Sequence, residues 1–126
     1  MITLFGKFVR HLRLDRDIVL KNMADVIGVS PAMLSGVENG KKSIPLDWED
    51  KLVNHYKLDD KQQQQLHEAI VASINQVRVE TKQSTYEKKE LAVVFARSFD
   101  KIDDNTREEL MKLLKEVQDS DSGGDS

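Results

Sequence analysis

The segment Leu20–Gly40 constrains this chain most, because its apolar residues and its breakers allow one local shape. Leu20, Met23, Ala24 and Ile27 fall at the i, i+3, i+4, i+7 spacing that lines one helical face. Gly28 follows, a residue that tolerates the left-handed conformation on which helices end. Ser30-Pro31 then supplies an N-cap acceptor and a ring suited to the first helical position. The second helix is short, turning Leu34 and Val37 inward and stopping at Asn39-Gly40. Ala24 is small enough for two helices to cross closely, and Val29 fills the angle between them.

Helical spacing continues on both sides of this unit. Phe5, Phe8, Val9 and Leu12 predict a preceding helix. Pro45 pushes Ile44 toward an extended shape within a loop from Lys41 to Leu46. Trp48, Leu52, Val53 and Tyr56 predict a fourth helix capped by Asp47, with Trp48 packing it onto the core. Asp59-x-x-Gln62 reads as a capping box for a fifth, buried through Leu66, Ala69, Ile70 and Ile74, with Gln62–Gln65 on a solvated face. The period then changes. Val77-Arg78-Val79-Glu80-Thr81 alternates over a β-branched stretch and predicts a short strand. Ser84-x-x-Glu87 opens a helix with Leu91, Val94, Phe95 and Phe99 inward, and Asp103 caps a last helix carrying Leu110, Leu113, Leu114 and Val117. Asp119–Ser126 holds polar and small residues only and predicts a disordered tail.

The expected fold class is therefore all-α: five helices, then a short strand and two C-terminal helices. Residues 1–75 form the first domain, 76–118 a dimerisation or partner-binding region, and 119–126 the tail.

Net charge is −3, yet its distribution is uneven. Before Asp47, seven basic residues (Lys7, Arg10, Arg13, Arg16, Lys21, Lys41, Lys42) face four acids (Asp15, Asp17, Asp25, Glu38). Only this half can carry an electrostatic footprint for phosphates. The chain has no cysteine, which removes disulfides, thiolate metal sites and cysteine nucleophiles. No apolar run approaches the ~18–20 residues of a membrane span, and the start lacks secretory-signal character, so a cytoplasmic location is expected. His11, His55 and His67 are scattered, without partners at metal-ligand spacing. No phosphate-cradling glycine loop or paired nucleophile and base is visible. Neither an enzyme nor a cofactor or metal is expected.

A helix pair like Leu20–Gly40 presents the start of its second helix at a convex surface, where it can enter a major groove. The residues Gly6-Lys7-x-x-Arg10-x-x-Arg13, Met23-Ala24, Ile27-Gly28-Val29-Ser30 and Leu34-Ser35-x-Val37-Glu38-Asn39-Gly40-Lys41 carry a resemblance to a known family. The stretch from Phe5 to Leu58 resembles the Cro-repressor-like (XRE-type) helix-turn-helix family of DNA-binding proteins. The resemblance implies that Ser30, Pro31, Ala32, Met33, Ser35 and Gly36 form the exposed part of a recognition helix. It implies phosphate contacts for Lys21, Asn22, Asn39, Lys41 and Lys42. It also implies a buried structural salt bridge between Arg13 and Glu38.

The sequence departs from the family in one respect. The base-reading positions correspond to Pro31, Ala32 and Gly36, none of which can hydrogen-bond a base edge through its side chain. That leaves Ser30 and Ser35 for weak hydrogen bonds, and Ala32 and Met33 for thymine methyls, unless Met33 is merely half-buried. Specificity otherwise comes from DNA shape, half-site spacing, or Lys21 and Asn22.

The second half carries apolar residues beyond the first domain's needs. Ala92, Val93 and Ala96 widen the stripe on its first helix, which then requires burial on more than one side. Val77, Val79, Leu91, Val94, Phe95, Phe99, Leu110, Leu113 and Leu114 are the candidate dimerisation residues. The expected function is a transcriptional regulator, a repressor binding operator DNA as a homodimer. The rival is an antitoxin that neutralises a toxin partner protein and autoregulates its operon.

Overall fold

The computed structural model describes the backbone of residues 1–123 and the side chains through residue 120. Among the described residues seven α-helices follow one another: α1 (Leu4–Arg16), α2 (Leu20–Ile27), α3 (Pro31–Glu38), α4 (Trp48–Tyr56), α5 (Asp60–Ser73), α6 (Tyr86–Ser98) and α7 (Asp104–Gly123), with a 3₁₀ turn at Phe99–Lys101. Local chemistry sets most of the starts. The Thr3 hydroxyl accepts from the Gly6 N–H (3.0 Å) at the head of α1. Ser30 does the same for the Met33 N–H (3.1 Å) at α3, where Pro31 holds the first position. Asp59 and Gln62 form the reciprocal capping box of α5, and Asp103 accepts from the Thr106 N–H (2.8 Å) at α7.

The chain divides into two compact units, Met1–Arg78 and Val79–Ser126. In the first, α1 and α5 pack together most extensively, α2 lies against α3 and α4, and α3 against α1. Fifteen buried apolar side chains form one core, from Phe5, Val9 and Leu12 on α1 through Met23, Ala24, Ile27, Leu34 and Val37 to Leu66 and Ile70 on α5. Trp48 is buried within it, its ring 6.2 Å from that of Phe5. At ~1.5–3 kcal/mol for each fully buried large side chain, this core supplies the main favourable term in folding the unit. Phe8, Val29, Met33 and Val53 pack against it while half-buried, and Ala69 and Ile74 are likewise half-buried.

The second unit has no such core. Through residue 120 none of its side chains is buried. α6 contacts the 3₁₀ turn that follows it but makes no extensive contact with α7.

Four expectations need correction. No strand forms among the described residues; 77–81 has no regular secondary structure and pairs with no second strand. Alternation fits a pleated surface, yet a strand exists only through a neighbour's hydrogen-bond ladder. Asp47 precedes α4 without capping it by a side-chain bond; its carboxylate instead meets Lys51 Nζ at 3.0 Å. α6 is capped by Thr85, which accepts from the Lys88 N–H at 3.2 Å. Ser84 is held in the preceding turn, its N–H donating to the Thr81 carbonyl (2.9 Å). α7 continues through Gly123, where a disordered tail is expected from Asp119. Once a helix is nucleated, each added residue gains a hydrogen bond at small cost. Residues 124–126 lie outside the described residues.

Candidate nucleic-acid interface

α3 is positioned by what it buries. Leu34 and Val37 enter the core, and Glu38, only 1% exposed, goes with them. A charge this deep needs counter-charge. Arg13 on α1 supplies it with two parallel bonds, Nη1 to Oε2 at 2.8 Å and Nη2 to Oε1 at 2.9 Å. Arg10, one turn earlier on α1, adds Nε to Oε1 at 3.1 Å. The Glu38 backbone is anchored too: its carbonyl accepts from the Thr3 N–H (2.9 Å) and the Thr3 hydroxyl (3.0 Å). Gly6 lies directly against that carbonyl, where a Cβ would collide with it. The resemblance pointed to Arg13 and Glu38, and the structure brings them together. The shares of Arg10, Thr3 and Gly6 were missed, although Arg10 stands three residues before Arg13 and hence on the same helical face.

The turn between α2 and α3 uses its glycine. Gly28 has φ +91° and ends α2, its N–H donating to the Ala24 carbonyl (2.8 Å). Chain reversal here leaves Ser30, Pro31 and Ala32 exposed on the free end of α3, while Met33, Ser35 and Gly36 are half-buried. Both serine hydroxyls have structural partners. Ser30 caps α3. Ser35 accepts from the Asn39 amide at 3.4 Å, and that amide also donates to the Ser35 carbonyl at 2.9 Å. The Asn39 side-chain oxygen Oδ1 in turn accepts from Arg10 Nη2 (3.3 Å). Asn39 is thus drawn into the α1–α3 junction rather than left free beside it.

After α3 the chain turns back sharply, with Gly40 at φ +76° and the Lys41 N–H donating to the Gly36 carbonyl (2.9 Å). Lys41 and Lys42 are exposed here, and Lys21 and Asn22 are exposed on the first turn of α2. Among the described residues no ion pair involves Lys21, Lys41 or Lys42. Their charges are available to an anionic partner.

Elsewhere in the first unit a shallow groove is lined by Phe8, His11, Leu12, Asp15, Gln62 and Gln65 of α1 and α5, without a convergent set of buried polar groups. Gln62 and Gln63 are less solvated than expected, because Gln62 completes the α5 cap and Gln63 Nε2 donates to the Leu58 carbonyl (2.8 Å). Tyr56 is buried with its hydroxyl unpartnered among the described residues, and burial pushes its pKa up against the opposing charges of Arg13 and Arg16. No group of three or more His, Asp or Glu side chains among the described residues could hold a metal ion, and no described helix is long and apolar enough to cross a membrane.

The remaining candidates are surface residues. Val77, on the unpaired segment that ends the first unit, is exposed, as is Val79 at the start of the second. Within the second unit Leu91, Val94, Phe95 and Phe99 are exposed along α6 and its turn, and Leu113 and Leu114 along α7, where Leu110 is half-buried. Comparison of the chain with family models, with curated proteins and with solved structures gives no match.

Proposed function

We propose that this protein is a DNA-binding transcriptional regulator of the Cro-repressor-like type, a repressor that reads operator DNA as a homodimer. One observation carries the reading. α3 is fixed at its C-terminal end by Glu38, its N-terminal end is exposed, and the chain that leaves it exposes the uncommitted cations Lys41 and Lys42. Ser30–Gly36 is the surface that meets the major groove, and Lys21, Asn22, Lys41 and Lys42 are the groups that meet the duplex around it.

The dimer is proposed on the second unit. Two helices with no fully buried side chain through residue 120, and that leave Leu91, Phe95, Leu113 and Leu114 exposed, need an apolar partner to be stable. A second copy fits because a reader of this size gains affinity by placing two recognition helices on successive groove faces.

Binding of the full chain to a random duplex pool, measured across a salt series, tests the reading. Expected is affinity that falls steeply with salt, by about 0.9 in log–log slope per phosphate engaged, and a selected sequence with two-fold symmetry. Lys41→Glu should weaken binding to every duplex. Salt-independent binding, or none, refutes the proposal. The same exposed apolar helices also favour a second reading, in which a toxin protein takes the place of the second copy and DNA binding serves autoregulation. A monomer that becomes a heteromer with a co-encoded protein would select it.

A further inference from the structure

α3 has a gap on its flank, and a residue from outside the helix fills it. A Cβ placed at Gly36 would meet Cγ and Cδ of Lys42 at 3.8 Å and Cε at 4.0 Å, ordinary van der Waals distances. The methylene stem of Lys42 therefore rests across α3 where a side chain of the helix itself would otherwise emerge. The tight return of the chain puts it there, through the Gly40 turn and the bond from the Lys41 N–H to the Gly36 carbonyl. A lysine seated in this way packs its stem and carries its ammonium outward. That ammonium is exposed and in no ion pair among the described residues.

The only side-chain donors that Ser30–Gly36 offers are two short serine hydroxyls. Pro31, Ala32 and Gly36 have no polar side chain. The Ser30 oxygen accepts as a cap and the Ser35 oxygen accepts from Asn39, itself held by Arg10, so both hydroxyls are fixed close to the helix and are much shorter than a lysine. We propose that Lys42 is the base-reading side chain of α3, donated to it from the following loop, and that its target is the O6 and N7 acceptor pair of a guanine in the major groove. Gly36 is its seat. This inference rests on the DNA-binding reading above, and it separates Lys42 from Lys41, which grips phosphate only.

The test first selects a preferred duplex with the wild-type chain, then measures wild type, Lys42→Met, Lys42→Arg and Lys41→Met on that duplex. The same proteins are measured on a set in which each G·C pair is exchanged in turn for A·T or carries 7-deazaguanine. Lys42→Met keeps the stem and removes the donor. For wild type, one G·C position should show about 10-fold discrimination, within the range of a good base contact. Lys42→Met should lose that discrimination while keeping preferences elsewhere, Lys42→Arg should retain it, and Lys41→Met should weaken all duplexes alike. Lys42→Met weakening all duplexes equally, with the guanine preference intact, would overturn the assignment and leave Lys42 a phosphate contact. Wild type failing to bind with salt dependence would instead sink the parent reading, and the assignment with it.

Discussion

Glu38→Ala would remove the negative charge at the α1–α3 junction and leave its cations behind. The two arginines would not suffer equally. Arg13 is 11% exposed and would keep only the Met23 sulfur, 3.2 Å from Nη1, as a neighbour. Arg10 is 43% exposed and can turn to water. Breaking a buried pair from one side costs about 3–5 kcal/mol, because it strands an unneutralised charge. An exposed pair contributes about 0–1 kcal/mol, so the Arg10 share is small. The expected loss is therefore about 3–5 kcal/mol, against a total stability of about 5–15 kcal/mol for a domain. Arg13→Met combined with Glu38→Leu strands no buried charge and should be about 2 kcal/mol or more above the single variant, since apolar replacement of a whole buried pair is often neutral. Urea unfolding followed by Trp48 fluorescence reads this directly: Trp48 is the sole tryptophan and is buried in the first unit. A loss below ~1 kcal/mol for Glu38→Ala, or a double variant as unstable as its two single changes added together, would refute the stranded-charge reasoning.

Gly6→Ala should destabilise the same junction by about 1–3 kcal/mol, because the new methyl meets a carbonyl held by two hydrogen bonds rather than a side chain that can swing away; an unchanged urea midpoint would contradict that. Tyr56 should titrate above its ordinary value of 10.0, because burial disfavours the phenolate. The folded state then holds this proton to higher pH than the unfolded chain does, so its contribution is whole below the ordinary value and is lost as pH rises through the folded one. Ultraviolet titration of Tyr86→Phe, which leaves Tyr56 as the sole tyrosine, checks this, and a midpoint at or below that of free tyrosine contradicts it. If the proposed dimer forms through α6, Leu91→Glu with Phe95→Glu should halve the mass in sedimentation while the Trp48 unfolding midpoint stays put, since neither side chain belongs to the first unit's core; an unchanged mass would remove α6 from the proposed interface.

The sequence was most legible where structure is local. Ser30-Pro31, Asp59-x-x-Gln62, Asp103 and Gly28 act within one helical turn, and each is found in its expected role. The core positions of α1 to α5 were also legible, because a 3.6-residue period reports a buried face directly. Legibility failed where a residue has a choice of partners. Asp47 can cap a helix or pair with Lys51, and the pair forms. Val77–Thr81 alternates in sequence without forming a strand, since pairing depends on chain far from the segment itself. At the interface, exposure of Ser30, Pro31 and Ala32 followed from spacing, but the ties on Ser35 and Asn39 pass through Arg10, twenty-nine residues from Asn39. The seating of Lys42 on Gly36 depends on how a loop closes, which side-chain periodicity does not encode.

Glu38 is fastened to α1 by its carboxylate and by its carbonyl. The first helix and α3 are consequently one lever with a welded joint. Anything that tilts α1, even by pressing on its far surface, swings the tip at Ser30 with it. On the proposed function, a small molecule or peptide that grips α1 would therefore have a mechanical handle on operator reading without competing for the duplex.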